Sequence, residues 1–260
     1  MTIRIGVAGW SIGSALADRF PGEGTHLARY ARRFGATEIN SSFYRPHRRS
    51  TYERWAASVP ADFRFAVKLP RAITHEHRLV GCADLLDRFA EETDGLGGKR
   101  GPLLAQLPPS LAFDAAAAAA FFRMVDARLG AALVVEPRHP SWFAPDVDQL
   151  LAAHRVARVA ADPAKVPAAA TPGGWPGLAY FRLHGAPRVY WSAYEPPAIA
   201  AQAERIMALA GDASEIWTIY DNTASGAAIP DALALCDSLD STPKVRAVDS
   251  TLRKRRQGGP

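Results

Sequence analysis

The stretch Leu133-Val-Val-Glu-Pro-Arg-His-Pro-Ser-Trp-Phe143 decides how the chain reads. A valine-rich run too short for a helix breaks into Glu136, Arg138 and His139 between two prolines. This is how a strand buried on both faces looks when it leaves a sheet and delivers polar groups at its end. Strand side chains alternate, so Glu136 and Arg138 share one side, and Pro137 and His139 the other.

The same event recurs along the chain. Residues 3–10, 37–40, 63–69, 102–107, 156–161, 178–185 and 215–220 are short apolar runs ending in polar residues, glycine or proline. Helical periodicity fills most gaps, at 27–34, 50–58, 84–93, 146–154, 196–209 and 229–239. An alanine-rich helix, with Asp114 as its N-cap, is expected to reach about Leu129. Eight strand–helix units in one α/β chain predict a single (β/α)8 barrel. Residues 163–177, with four prolines and three glycines, predict an irregular connection between strands six and seven. An open dinucleotide-binding sheet would need a glycine fingerprint that Gly9-Trp-Ser-Ile-Gly13 does not supply. The barrel is expected to occupy residues 1–250, and residues 251–260 to form a basic tail.

Charge points the same way. The net charge of +5 owes four cations to Arg253-Lys254-Arg255-Arg256, so the rest of the chain is nearly neutral. Cys82 and Cys236 fit no metal or redox spacing, which suits a reducing compartment. A strand begins at Ile3 without a leader pattern, and the alanine run at 115–120 is too short for a bilayer. The expectation is a cytoplasmic protein with no membrane partner.

Chemistry in such barrels gathers where strands end. Alternation groups Glu38 with Asn40, Glu136 with Arg138, Arg182 with His184, and Tyr220 with Asn222, each pair on one strand face. Lys68, Gln106 and Asp162 are single candidates. Several chemistries fit this set, beginning with a structural ion network that merely closes the barrel. In the favoured one, Lys68, Arg138 and Arg182 hold a small phosphorylated or carboxylated substrate. Glu136 and His184 then exchange protons, and Asn40 and Gln106 orient the ligand. This chemistry calls for no cofactor. A second has a divalent metal held by Glu136, Asp162, His184 and His139, although no zinc-type spacing supports it. A third has Lys68 forming a Schiff base. The match of Gly9-Trp-Ser-Ile-Gly13 to a serine nucleophile elbow reads better as a tight turn. A different class of function, nucleic-acid binding or metal-dependent processing, would use the basic tail and the aromatic loop Tyr190-Trp-Ser-Ala-Tyr194.

Longer blocks carry a resemblance. Gly9-Trp10, Glu38-Ile-Asn-Ser-Ser-Phe-Tyr44, Phe65-Ala-Val-Lys68 with Ile73-Thr-His75, and Gly101-Pro-Leu-Leu-Ala-Gln-Leu-Pro-Pro109 are four of them. Glu136-Pro-Arg-His-Pro-Ser-Trp142, Phe181-Arg-Leu-His-Gly185 and Tyr220-Asp-Asn-Thr-Ala-Ser-Gly226 follow. Together they resemble the YecE-like family, a domain of unknown function. The resemblance implies a TIM barrel with these blocks at its strand ends. It marks Asn40, Tyr44, Lys68, His75, Gln106, Glu136, Arg138, His139, Arg182, His184 and Asn222, and assigns no reaction. Asp221 stands where an asparagine is usual in that family, and Ser14-Ala-Leu-Ala-Asp18 lacks its aromatic residues.

Overall fold

The computed structural model describes residues 1–209, 211 and 213–241, so the tail at 251–260 lies outside the described residues. Among the described residues ten strands are formed: β1 (Thr2–Val7), β2 (Ala36–Ile39), β3 (Arg64–Lys68), β4 (Arg100–Gln106), β5 (Leu133–Glu136), β6 (Val156–Arg158), β7 (Ala160–Asp162), β8 (Gly173–Gly174), β9 (Leu178–Leu183) and β10 (Glu215–Tyr220). Parallel pairing runs β2-β3-β4-β5-β6 in one sheet and β1-β10-β9-β7 in the other. β6 and β7 are two halves of one stave. Val159 between them donates to Val135 O at 2.9 Å, so the stave passes from β5 to β9 and joins the sheets.

The remaining seam, β1 to β2, closes with few ladder bonds: one bridge between Ala8 and Glu38, and Gly9 N donating to Glu38 O at 2.9 Å. Side chains supply the rest. The Tyr30 hydroxyl accepts from Val7 N at 3.0 Å and donates to Ala36 O at 2.9 Å. The Thr37 hydroxyl lies 2.9 Å from Val7 O and 2.8 Å from Gly9 O. A Cβ on Gly6 would stand 2.2 Å from Ala36 O, so only glycine admits this approach. Eight staves therefore close into the (β/α)8 barrel that the sequence predicts.

Seven α-helices of the described residues surround it: α1 (His26–Tyr30), α2 (Arg49–Ala57), α3 (Ala83–Thr93), α4 (Ala115–Leu129), α5 (Pro145–Ala153), α6 (Pro196–Ala208) and α7 (Ala228–Ser241). Asp114 caps α4 by accepting from Ala117 N at 2.9 Å, and Gly130 ends it in the left-handed conformation. Between β7 and β9 there is no α-helix, only a 3-10 turn (Pro167–Ala170) and β8, antiparallel to β6. Among the described residues no helix is long and apolar enough to cross a membrane.

Two apolar clusters follow from strand alternation. Phe65, Val135, Phe181, Leu183, Ile216 and Tyr220 face the helices in the large outer cluster. Ala36, Ala66, Leu104, Val134, Ala157, Val159, Tyr180, Trp217 and Ile219 fill the barrel. Within it Tyr180 and Trp217 stack at 5.9 Å. One step further along the same faces, the apolar filling gives way to charge. Trp217→Ala should cost about 3–5 kcal/mol, measured by urea denaturation. Trp217→Phe, which also removes an indole N–H buried without a partner, should cost less than half of that.

Candidate functional site

Glu38 from β2, Lys68 from β3, Gln106 from β4, Glu136 from β5 and Arg182 from β9 all point inward at the C-terminal end of the barrel. Arg138 and His184 sit two residues past Glu136 and Arg182, so alternation turns them the same way. Arg182, fully buried, is the hub. Its Nε and Nη2 donate to Glu38 Oε2 and Oε1 at 3.0 and 2.8 Å. Nη1 donates to Glu136 Oε2 at 2.6 Å, and Nη2 also to Asp221 Oδ2 at 2.9 Å. The Tyr180 hydroxyl rises from the apolar layer to donate to Glu38 Oε2 at 3.0 Å.

His184 lies between two carboxylates. Nδ1 is 3.1 Å from Asp221 Oδ2, and Nε2 is 2.9 Å from Glu136 Oε1. Neither carboxylate oxygen can donate when ionised, so bonds to both at once need the imidazolium, whereas Arg138 Nη2, 3.3 Å from Nε2, would donate to a neutral ring. Burial opposes that charge, but Glu136 and the hydrogen bonds to Asp221 and Glu136 outweigh it and raise the pKa. Burial would likewise raise Glu136. Arg182, His184 and Arg138 reverse this and hold it well below the usual carboxylate range. Arg138 donates to Glu136 Oε1 through Nη2 at 2.7 Å, and Gln106 Nε2 donates to Oε2 at 3.0 Å. A carboxylate so heavily engaged is a poor proton carrier near neutral pH.

Lys68 differs from the other cations. It is 4% exposed, its ammonium lies 4.3 Å from the Phe43 ring centre, and no hydrogen-bond acceptor or ion-pair partner for it is found among the described residues. Burial first, then Arg182, lowers its pKa against the pull of Glu38, Glu136 and Asp221. His75 stands edge-on to Phe43 at 5.1 Å. Burial, then Lys68, Arg71 and Arg138, lowers its pKa, keeping the ring neutral beside this positive recess. Asn40 Oδ1 is buried without a hydrogen-bond partner. Tyr190 covers the site from the loop after β9, its ring 5.4 Å from His184 and its hydroxyl close enough to act on Arg138.

Other candidates lie elsewhere. The inner face of β10 carries Trp217 and Ile219, so Asp221 reaches the network, and Tyr220 and Asn222 face outward. Tyr220 packs in the outer cluster, and Asn222 Nδ2 donates to Asp231 Oδ2 at 2.6 Å. This corrects the expected facing by one residue. β10 is apolar on both faces, so alternation could not choose between them. Asp162 is corrected for the same reason. It pairs with the outward Leu183 while Ala161 pairs with Arg182, so its carboxylate faces Arg205 and Tyr194. His139 caps the turn beginning at Pro140, accepting from Ser141 N at 3.2 Å. Glu136, Asp162, His184 and His139 therefore do not converge. Among the described residues no group of three His, Cys, Asp or Glu side chains is arranged to hold a metal. His184 is committed to Asp221 and Glu136 rather than to Ser11, whose segment is a turn fixed by Ile12 N donating to His26 Nδ1 at 2.9 Å.

Tyr194 shapes the roof instead of lining the recess. Its hydroxyl accepts from Gly185 N at 2.9 Å, and its N–H donates to Asp231 Oδ2 at 3.1 Å. Gly185, at φ +88°, is where the loop turns, and a Cβ there would meet Ser192 O at 2.6 Å. Tyr44 is 77% exposed at the rim. A cavity of about 540 Å³ opens between the β1 and β10 loops, walled by Ala8, Gly9, Trp10, Thr223, Ser225 and Gly226.

The family model described as "Protein of unknown function DUF72" matches residues 4–256. The UPF0759 protein YecE of Escherichia coli K12 is 33% identical over 121 residues, 46% of this chain and 44% of that protein. The chain thus matches less than half the length of this curated relative. Two crystal structures of DUF72 family proteins share the fold at 21% identity. The Enterococcus faecalis V583 protein aligns with TM-score 0.76 over 93% of this chain and 96% of its own. The Thermotoga maritima MSB8 protein aligns with TM-score 0.75 over 93% and 100%.

The buried charges set a pH signature. His184 gains its partners on folding, so its contribution is full below the unfolded value near 6.5 and is lost as pH rises through its higher folded value. His184→Gln should therefore destabilise more at pH 6 than at pH 9, by urea denaturation. Arg182→Met strands three buried carboxylates. It should cost about 3–5 kcal/mol at pH 7 and less in acid, where they protonate.

Proposed function

The chain belongs to the DUF72 family, whose function is unknown, and from the geometry of its barrel mouth we propose an enzyme acting on a small phosphorylated or carboxylated substrate. The observation that carries this is Lys68, a buried ammonium with no carboxylate bonded to it, in a recess shared with Arg138. With His184 protonated, four cations (Lys68, Arg138, Arg182 and His184) face three carboxylates (Glu38, Glu136 and Asp221). That excess favours an anion at the mouth, beside Lys68 and Arg138. Asn40 and Gln106 orient the ligand.

Proton transfer falls to His184. Its imidazolium, supported at Nδ1 by Asp221, gives the Nε2 proton, held at rest against Glu136 Oε1, to a substrate oxygen that develops negative charge. Glu136 stays ionised and fixes the ring, acting as an orienting carboxylate. The scheme needs no metal. The two cysteines are free, one buried and one partly so, which fits a cytoplasmic setting.

A second reading, single-stranded nucleic acid, draws on one observation. Tyr44, Val189, Tyr190 and Trp191 are large apolar side chains left exposed on the loops after β2 and β9, with Arg188 over the Trp191 ring at 4.4 Å.

Melting curves separate the two. Sugar phosphates or carboxylates should raise the melting temperature by mass action, and Lys68→Ala or Arg138→Ala should abolish the rise. A shift seen only with oligonucleotides, fading steeply with salt and lost in Trp191→Ala, would favour the second reading. On an identified substrate, His184→Ala should lower kcat by about a hundredfold or more. Glu136→Gln should move the loss of activity at high pH to lower pH. A pH profile unchanged in Glu136→Gln would contradict the assignment of His184 as the acid.

A further inference from the structure

We propose that Lys68 is a carbonyl-trapping amine: the mouth takes a small aldehyde or ketone that also bears the anionic group, and Lys68 Nζ condenses with its carbonyl carbon to form an imine. The inference rests on the anion-binding reading above and names the substrate class, a 2-oxo acid or a phosphorylated aldehyde or ketone.

Residue choice is the first observation. Only five of the 31 Lys and Arg residues are lysines. Where the fold buries a cation against a carboxylate it uses arginine: Arg182 with Glu38, Arg138 with Glu136, and Arg158 with Asp148 at 2.8 Å. The inward position at the end of β3 holds a lysine instead, and no carboxylate is bonded to it. A guanidinium does not lose its proton in a protein and cannot act as a nucleophile, whereas a lysine amine can do both.

Position is the second. A β-strand end fixes the stem, and Ser42 Oγ donates to the Lys68 carbonyl at 2.6 Å, tying that end to the loop after β2. Phe43 closes one side of the ammonium and is itself braced edge-on by Tyr44 at 5.0 Å and His75 at 5.1 Å. This apolar shelf limits water, and with Arg182 nearby it favours the neutral amine. Glu38, Glu136 and Asp221, close enough to act on the amine but not bonded to it, supply a negative field for the cationic product. Arg138 is left to hold the anionic group.

The step balances without a co-reactant. An ammonium and a carbonyl compound give a protonated imine and one water. The C=O bond breaks, a C=N bond forms, and the carbonyl oxygen leaves with two hydrogens from nitrogen. Charge is unchanged and nothing is oxidised or reduced.

The test is borohydride trapping on the full-length native protein, with pyruvate and glyceraldehyde 3-phosphate as probes and peptide mass mapping of all five lysines. The expected result is a reduced adduct on Lys68 at about tenfold or more over Lys99 and Lys165. It should be lost when the chain is unfolded in urea before trapping and absent in Lys68→Arg. Labelling of Lys68 should be half-maximal at a pH below the ordinary lysine value of 10.5. Melting curves with inorganic phosphate, run on the same sample, separate the two claims. Equal, weak labelling of all lysines with a retained phosphate shift overturns the imine and leaves the anion site standing. Loss of both overturns the imine together with the reading it rests on.

Discussion

A single buried guanidinium holds the mouth of this barrel together. Arg182 meets Glu38 from β2, Glu136 from β5 and Asp221 from the end of β10, so one side chain on β9 ties three other staves. Taking these charges out of water costs several kcal/mol per ion, which only close, well-directed bonds can offset. The cluster therefore adds little net stability. What it adds is position, because each carboxylate is pinned by a fork of fixed geometry.

Position then sets protonation. Asp221 and Glu136 stand on opposite sides of His184 because Arg182 holds both, and between them they favour the imidazolium. The charge of Arg182 itself lowers the pKa of both His184 and Lys68, but only His184 is bonded to the carboxylates that reverse the shift. One network thus holds a cationic imidazole and, from across the barrel, a lysine biased towards the neutral amine. Two groups pushed in opposite directions at one barrel mouth are what the proposed proton transfer calls for.

Much of this was legible in the residues. The breaks from apolar run to polar end at Glu136, Lys68 and Arg182 gave both the stave count and the inward faces, since alternation leaves little choice on a strand with one polar side. It failed at Asp221 and Asp162, where both faces of the strand are apolar or small and the register across the sheet decides. Asp221 was visible as a departure from the resembling family, yet its contact with His184 depends on two staves meeting and has no local signature. Tyr190 escaped assignment to the site for a similar reason. Its place over His184 follows from the turn at Gly185, which the sequence shows only as one glycine among many. Tyr194, expected in the aromatic loop of the nucleic-acid alternative, is instead a strut of that loop, its hydroxyl accepting from Gly185 N.

The pH titration of the His184 ring by nitrogen-15 NMR tests the central claim most directly. The account predicts both ring nitrogens protonated at neutral pH, a midpoint above 6.5, and a fall in that midpoint in Glu136→Gln. A neutral ring at pH 7, or a midpoint at or below 6.5 that Glu136→Gln does not move, would contradict it.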